Sequence, residues 1–380
     1  MYNVYQQYCA GLQSSDKFRQ LQEDSTQTAR VLDFSTNDYL NLSRSKELLD
    51  AATIAGSTYG VGATGSRLLS GNREIFETLE TQIAKDKNTE AALIFNAGFQ
   101  ANISVLSCLL DSKVLGKKPL VFFDKLNHSS LYNAVFLSGA ELIRYSHNNL
   151  LHLSELLKKY ADTSIPKFIV TETVFGMDGD IADLQEIIAL AQSYNAFLYL
   201  DEAHATGVLG HKGYGISTDF NLQPINHLIM GTFSKALGCS GAYIACSNII
   251  KGYLVNKSSG FIYSTALSPM VIGAANKAWD MVKHLDDERH ALMTKASRLR
   301  TTLKTIGFDT GNSETHIIPI IIGTASNTMK TQQQLSKDSI IVSAIRPPTV
   351  QPGKSCLRIA LTSGHSDEDI DQLIFALKSL

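Results

Sequence analysis

The sequence has no excess of either charge, with 34 Lys and Arg against 36 Asp and Glu. No global field therefore favours nucleic acid or an anionic membrane surface, and any anionic ligand must be held by a local site. It has no C-x-x-C pair. Cys9, Cys108, Cys239, Cys246 and Cys356 are odd in number and widely spaced, which argues against a disulfide framework or a structural zinc site and points to a reducing compartment. No apolar run approaches the roughly 18–20 residues needed to span a bilayer, and Met1 to Gln7 show no basic stretch followed by an apolar one. The expectation is a soluble, cytoplasmic protein. His147, His152, His211, His227, His284, His290, His316 and His365 share no spacing with Cys or carboxylates that would build a metal site.

Two further patterns are near misses. Gly60-Val61-Gly62-Ala63-Thr64-Gly65 has the dinucleotide spacing G-x-G-x-x-G, but it follows a helix expected over Ser45–Ala55 instead of a strand. Gly238-Cys239-Ser240-Gly241 misses the nucleophile elbow G-x-S-x-G by one position.

There is also no internal repeat, low-complexity tract or long polar linker, so domain boundaries must come from element order. At 380 residues two domains are expected. Short runs rich in Val, Ile and Phe recur at Ala91–Phe95, Leu120–Phe123, Phe168–Thr171, Phe197–Leu200 and Leu228–Gly231, with helix-like stretches between most of them. That alternation predicts an α/β fold, a mostly parallel sheet covered by helices on both faces. A long amphipathic helical stretch follows at Pro269 to Thr305. Apolar runs at His316–Ile322, Ile340–Ile345 and Leu357–Leu361 come next, then a helix beginning near Ser366. The division predicted is an N-terminal segment 1–45, a large domain 46–268 and a small α+β domain 269–380. The N-terminal segment, with a helix and then Val31–Ser35, is compatible with packing on either part.

Ligands of open α/β sheets bind beyond the carboxyl ends of the strands. Phe95 is followed by Asn96-Ala97-Gly98-Phe99, which opens a helix whose N–H groups suit a phosphate. The stretch after Phe123 reaches His128, and that after Thr171 reaches Asp178 and Asp180. Leu200 leads into Asp201-Glu202-Ala203-His204, and Gly231 into Thr232-Phe233-Ser234-Lys235. Singly these are weak signals, since a lone Lys after a strand is usually a solvated surface group. Together they supply what pyridoxal 5'-phosphate (PLP) demands: an amine for its aldehyde (Lys235), a carboxylate for the pyridinium nitrogen (Asp201), a flat group against the ring (His128) and phosphate donors (Gly98, Phe99, Thr232).

Three stretches carry a resemblance. Asp201 to Gly210 (DEAHATGVLG), Thr232 to Gly238 (TFSKALG) and Asn37-Asp38-Tyr39-Leu40 resemble the α-oxoamine synthases, fold-type I PLP enzymes, and the resemblance covers essentially the whole chain. Ala344 to Val350 (AIRPPTV), followed by Leu357 to Thr362 (LRIALT), is most similar to the branch that condenses L-alanine with a pimeloyl thioester. The resemblance implies that Lys235 binds the cofactor's aldehyde and later removes the Cα proton, that Asp201 meets the pyridine nitrogen, that His204 bonds the phenolic oxygen and that His128 stacks on the ring. It implies that Asn37 and Arg358 hold the amino-acid carboxylate, for which a planar guanidinium fork is suited. Arg19, and Thr349 within AIRPPTV, are candidates for the acyl substrate. It further implies a homodimer with Thr265, in Tyr263-Ser264-Thr265, donated to the partner's phosphate site. The glycine-rich segment with Ser66 and Arg67 is then expected at the subunit boundary.

Two positions depart from the family pattern. Gly176 stands where the family often has Ser, and Ala97 replaces a frequent hydroxyl residue beside the phosphate-binding glycine. The expectation is weaker cofactor retention, or a water in place of the Gly176 hydroxyl, with the chemistry intact.

Overall fold

The structure is a computed structural model that describes residues 1–15, 17–19, 21 and 31–379. Its strands in chain order are β1 (Leu32–Asp33), β2 (Ala91–Phe95), β3 (Leu120–Asp124), β4 (Glu141–Tyr145), β5 (Lys167–Glu172), β6 (Ala196–Asp201), β7 (His227–Thr232), β8 (Ala242–Cys246), β9 (Ile317–Gly323), β10 (Ile340–Ile341), β11 (Ser343–Ile345) and β12 (Ser355–Ala360). Contacts divide the chain into two compact units. The larger comprises Asp38–Gly176 and Ile181–His290, and the smaller Met1–Asn37, Met177–Asp180 and Ala291–Leu380.

The larger unit is built on a seven-stranded sheet of order β2-β8-β7-β6-β5-β3-β4. Only β8 runs against its neighbours, so the expected mostly parallel α/β sheet is what the chain forms. Every residue of β2, β3, β5 and β8 is buried, as a sheet covered on both faces requires. The core on one face includes Phe95, Val105, Leu131, Val170, Tyr199, Met230 and Ile244. Each such side chain contributes about 1.5–3 kcal/mol by leaving water.

Two strands of this sheet were absent from the sequence reading. β4 (ELIRY) is an edge strand with most of its residues exposed, and its charges mask the apolar run. β8 (AYIAC) is buried but alanine-rich, so β-branched enrichment does not mark it.

The helix expected at Ser45–Ala55 is Lys46–Tyr59, with Ser45 accepting the Leu48 N–H as its cap. The glycine-rich segment therefore does follow a helix, as read.

The stretch Pro269–Thr305 is two helices, Pro269–Val282 and Asp286–Thr305, broken at 283–285. The first packs against the helices Lys46–Tyr59 and Glu74–Asp86, so it belongs to the larger unit even though it had been read with the small domain.

In the smaller unit, β11, β12 and β9 form an antiparallel sheet, and β1 pairs in parallel with β10. The run Ile340–Ile345 is thus two strands in two different sheets. The last helix, Asp367–Lys378, has a capping box from Ser366 and Asp369 and buries Ile370, Leu373, Ile374 and Leu377, the 3.6-residue stripe of an amphipathic helix. The N-terminal segment expected over 1–45 is divided: its described residues up to Asn37 fall with this unit, and Asp38–Ser45 with the larger one. Phe34 stacks on His365 at 4.3 Å, and its carbonyl accepts the Ala360 N–H at 2.8 Å.

Candidate active site

In the larger unit, the carboxyl ends of β5, β6 and β7 bring Glu172, Asp201 and Thr232 onto neighbouring strands, with Glu172 in register with Asp201. Beyond β7 the chain makes a tight loop. Phe233 N–H donates to the Gly241 carbonyl at 2.9 Å, Gly238 N–H to the Lys235 carbonyl at 2.8 Å, and Thr232 Oγ1 to the Gly241 carbonyl at 2.8 Å. Gly238 has φ +64, and a Cβ there would lie 2.4 Å from the Ser43 backbone nitrogen, so only glycine lets the Leu42–Ser43 turn approach this loop. That turn is held in place by Asp38, whose carboxylate accepts the N–H groups of Leu42 and Ser43.

The loop presents Lys235 Nζ 2.7 Å from His204 Nε2. The other ring nitrogen, Nδ1, lies 2.7 Å from the hydroxyl of Tyr39, which is wholly buried. His204 itself sits three residues beyond Asp201, so the two residues expected to flank the cofactor ring descend from one strand end. A Cβ at Gly176 would lie 2.3 Å from His204 Nε2. The ring therefore fills the place that a side chain at 176 would need.

Asp201 is 4% exposed and accepts two hydrogen bonds, from Ala203 N–H at 2.9 Å and from Asn102 Nδ2 at 2.8 Å. Asn102 also donates to Ser130 Oγ at 2.9 Å, and its own Oδ1 accepts from Tyr199 O–H at 2.8 Å. Ser130 Oγ lies 2.7 Å from His128 Nδ1, which also accepts the Ser130 N–H as the cap of the helix Ser129–Ser138. Because Asn102 fills the acceptor side of Ser130 Oγ, the hydroxyl proton turns to Nδ1, and a neutral His128 then carries its proton on Nε2. Burial lowers the His128 pKa below the ordinary histidine value; the Asp201 charge opposes this and the Lys235 charge reinforces it.

Glu172 is buried, and its carboxyl is pushed up to about 8, first by burial and then by the Asp201 charge, with Lys235 and the N–H groups of Gly176 and His128 opposing. The residue after Asp201 is locked as well. Glu202 forms a fully buried ion pair with Lys87 and accepts from Ser217 N–H at 2.7 Å and Ser217 Oγ at 2.8 Å. Burial is the largest influence on Lys87 and lowers its pKa, but the charges and hydrogen bonds of Glu202 and Tyr243 together outweigh it and the net direction is upward.

Gly98 opens the helix Gly98–Leu109, and Ala97 at the cap makes no side-chain bond to the first turn. A Cβ on Gly98 would stand 3.9 Å from Thr232, so the helix N-terminus and the end of β7 are neighbours. Phe99 is half exposed and meets the His128 ring edge-on, with centroids 6.4 Å apart. Thr265 is exposed, with its carbonyl accepting from Asn96 Nδ2 at 2.7 Å.

In the smaller unit, Arg358 is buried in β12 and donates from Nη2 to Asn37 Oδ1 at 3.1 Å. Arg19 Nη2 donates to Thr349 Oγ1 at 3.1 Å across 330 residues of sequence. Both pairs of expected substrate residues are thus brought together. Asp178 and Asp180 belong to this unit too; Burial, reinforced by the Asp178 charge, pushes the Cys356 thiol up to about 12.

Sequence reasoning missed Asn102, Ser130, Tyr199, Tyr39 and Glu172. Asn102 had a signal, since it lies one helical turn after Gly98 as an amide inside the apolar stretch Ala101–Leu106. Tyr39 was quoted only as part of a motif.

The family model described as aminotransferase class I and II matches residues 29–377. A relative from Paramagnetospirillum magneticum, whose name as an 8-amino-7-oxononanoate synthase is provisional, is 49% identical over 347 residues, 91% of this chain and 88% of its own. The crystal structure of 8-amino-7-oxononanoate synthase from Francisella tularensis superposes with a TM-score of 0.77 at 29% identity, covering 92% of this chain and 97% of that one. An SPT variant solved with PLP superposes with a TM-score of 0.85 at 26% identity, covering 92% and 87%.

Proposed function

The chain belongs to the α-oxoamine synthases, within the class I and II aminotransferase family, and from that premise we propose that it is a PLP-dependent acyltransferase of biotin biosynthesis. It condenses L-alanine with a pimeloyl thioester and yields 8-amino-7-oxononanoate, carbon dioxide and the free carrier thiol. The observation that carries the reading is the meeting of an amine, an imidazole and a buried carboxylate at the ends of two adjacent strands, Lys235 with His204 at 2.7 Å and Asp201 three residues before His204.

The donor set fits PLP. Asp201, held by two donors, would face the pyridine nitrogen. His128 would lie on the ring face, His204 on the phenolic oxygen and Lys235 at the aldehyde. Gly98, Phe99 and Thr232 would hold the phosphate, with Thr265 coming from the second copy in a homodimer. When bound, PLP supplies an electron-withdrawing ring that spreads the negative charge left on the amino acid's α-carbon as bonds to that carbon break.

The chain's own side chains do the rest. Arg358, oriented by Asn37, would hold the amino-acid carboxylate. Lys235, as a free amine, takes the Cα proton and later returns one. Arg19, steadied by Thr349, meets the distal carboxylate of the pimeloyl chain. The thioester carrier is coenzyme A or acyl carrier protein. The protein acts in the cytoplasm, on small molecules and without nucleic acid or membrane; no described helix is long and apolar enough to cross a bilayer.

The test is turnover of purified protein with PLP and a pimeloyl thioester, offering alanine, glycine or serine and measuring thiol release and carbon dioxide. Alanine is expected to be preferred. A preference for glycine or serine would assign the chain to a sister synthase, and products formed without thioester consumption would assign an aminotransferase or lyase.

A further inference from the structure

Three groups in the larger unit form a continuous hydrogen-bonded line. The Tyr39 hydroxyl meets His204 Nδ1 at 2.7 Å, and His204 Nε2 meets Lys235 Nζ at 2.7 Å. The line exists only because residue 176 has no side chain. An added Cβ would lie 2.3, 2.8 and 2.9 Å from His204 Nε2, Cδ2 and Cε1, closer than carbon contacts allow, and the ring would have to move. We propose that Tyr39 is a positioning residue for Lys235, acting through a His204 ring that Gly176 makes room for, so that the Nε2–H faces the lysine amine.

The physical reason lies in the two nitrogens of one ring. When the Tyr39 O–H donates to Nδ1, a neutral imidazole must carry its proton on Nε2. A donor aimed at Nζ is satisfied by a nitrogen lone pair, which only the uncharged amine has. The uncharged amine is also the form that adds to an aldehyde and accepts a proton. The reverse arrangement, with Nδ1–H donating to the tyrosine oxygen and a lysine N–H donating to Nε2, would instead favour the charged amine. The 0% exposure of Tyr39 keeps water from competing for the ring nitrogen. Tyr39 follows Asp38, which fixes the turn through the Leu42 and Ser43 N–H groups, and its ring is wholly buried. His128 and Glu172 in the same unit feel both the Lys235 and the Asp201 charges, and these groups stay unchanged in the variants below.

This inference rests on the proposed function only in taking Lys235 as the reacting amine. The test uses the full-length, cofactor-free protein and the variants Tyr39→Phe and Gly176→Ser. The pH profile of Lys235 acetylation by acetic anhydride is read by peptide mass spectrometry, and the His204 tautomer by ring-nitrogen NMR. Both variants are expected to raise the midpoint of the Lys235 profile by about one pH unit, about tenfold lower reactivity near neutrality, and Tyr39→Phe to lose the single Nε2–H tautomer. Placing 3-fluorotyrosine at position 39 keeps the packing while strengthening the donor, so it is expected to lower the midpoint, and it serves if Tyr39→Phe does not fold. Unchanged profiles, or a midpoint that falls in Tyr39→Phe, would overturn the proposal. Because neither readout involves cofactor or substrate, a failed turnover assay leaves this comparison standing.

Discussion

Asn102 donates to Asp201 Oδ2 at 2.8 Å from a helix that begins 103 residues earlier in the chain than Asp201, at Gly98. The same amide group donates to Ser130 Oγ, so one side chain steadies both the carboxylate and, through Ser130, the His128 ring. In Asn102→Leu both donors vanish while the branched four-atom side-chain skeleton is kept. Hydrogen bonds to charged groups are worth about 1.5–3 kcal/mol, so kcat is expected to fall by roughly 10- to 100-fold. Steady-state kinetics checks this; wild-type kcat in a folded variant would show that Asp201 needs no such support.

Arg358 is expected to tolerate lysine poorly. Its Nη2 is engaged by Asn37, which orients the guanidinium plane, and a lysine offers a point charge in place of a planar fork. Arg358→Lys should raise KM for alanine by about tenfold or more, one lost hydrogen bond to a charged group, with a much smaller effect on KM for the thioester. Equal effects on both substrates would argue against a carboxylate-binding role.

Glu172 ties stability to pH. Its folded pKa of about 8 lies above the unfolded value, so the folded state binds more protons in the window between the two. By linkage, stability is highest below the unfolded pKa, falls as pH rises through the window and levels off above the folded pKa, at a limiting slope of about 1.4 kcal/mol per pH unit. Glu172→Gln is expected to flatten this decline. Urea denaturation of the cofactor-free protein between about pH 5 and 9 reads it, and parallel curves for the two proteins would place the titration elsewhere.

The Lys87–Glu202 pair is expected to be costly to break and much less costly to remove. Lys87→Met leaves Glu202 charged and buried, for a loss of about 3–5 kcal/mol. Lys87→Met combined with Glu202→Gln keeps an acceptor for Ser217 N–H and should recover part of that loss. Denaturant midpoints of the two single variants and the double variant decide; additive losses would mean that the two side chains do not act as a pair.

The parts of the site that were legible in the sequence are those a strand end places by itself. Lys235, Asp201, His204 and Thr232 all follow apolar runs that could only be buried strands, and each stands where the run predicted. Arg358 and Asn37 were legible through motifs that resemble a family. β4 and β8 were not, because charge at an edge and alanine in a core both erase the periodicity that marks a strand. The break at 283–285 was hidden because Lys283, His284 and Leu285 are compatible with a helix, while the Arg289 guanidinium that meets the last carbonyl of the first helix, at Val282, comes from the next helix.

Local order is what the amino-acid sequence determined alone: which segments are strands, which residues stand at their carboxyl ends, and where Ser45 and Ser366 start helices. Those depend on neighbours within a turn or a strand length. Tertiary structure alone decided which strand ends lie side by side, and hence that Tyr39 meets His204 across 165 residues and Asn102 meets Asp201 across 99. Such partners are chosen by strand order and crossover paths. A hydrogen bond needs atoms within about 3 Å, and no spacing along the chain specifies that distance.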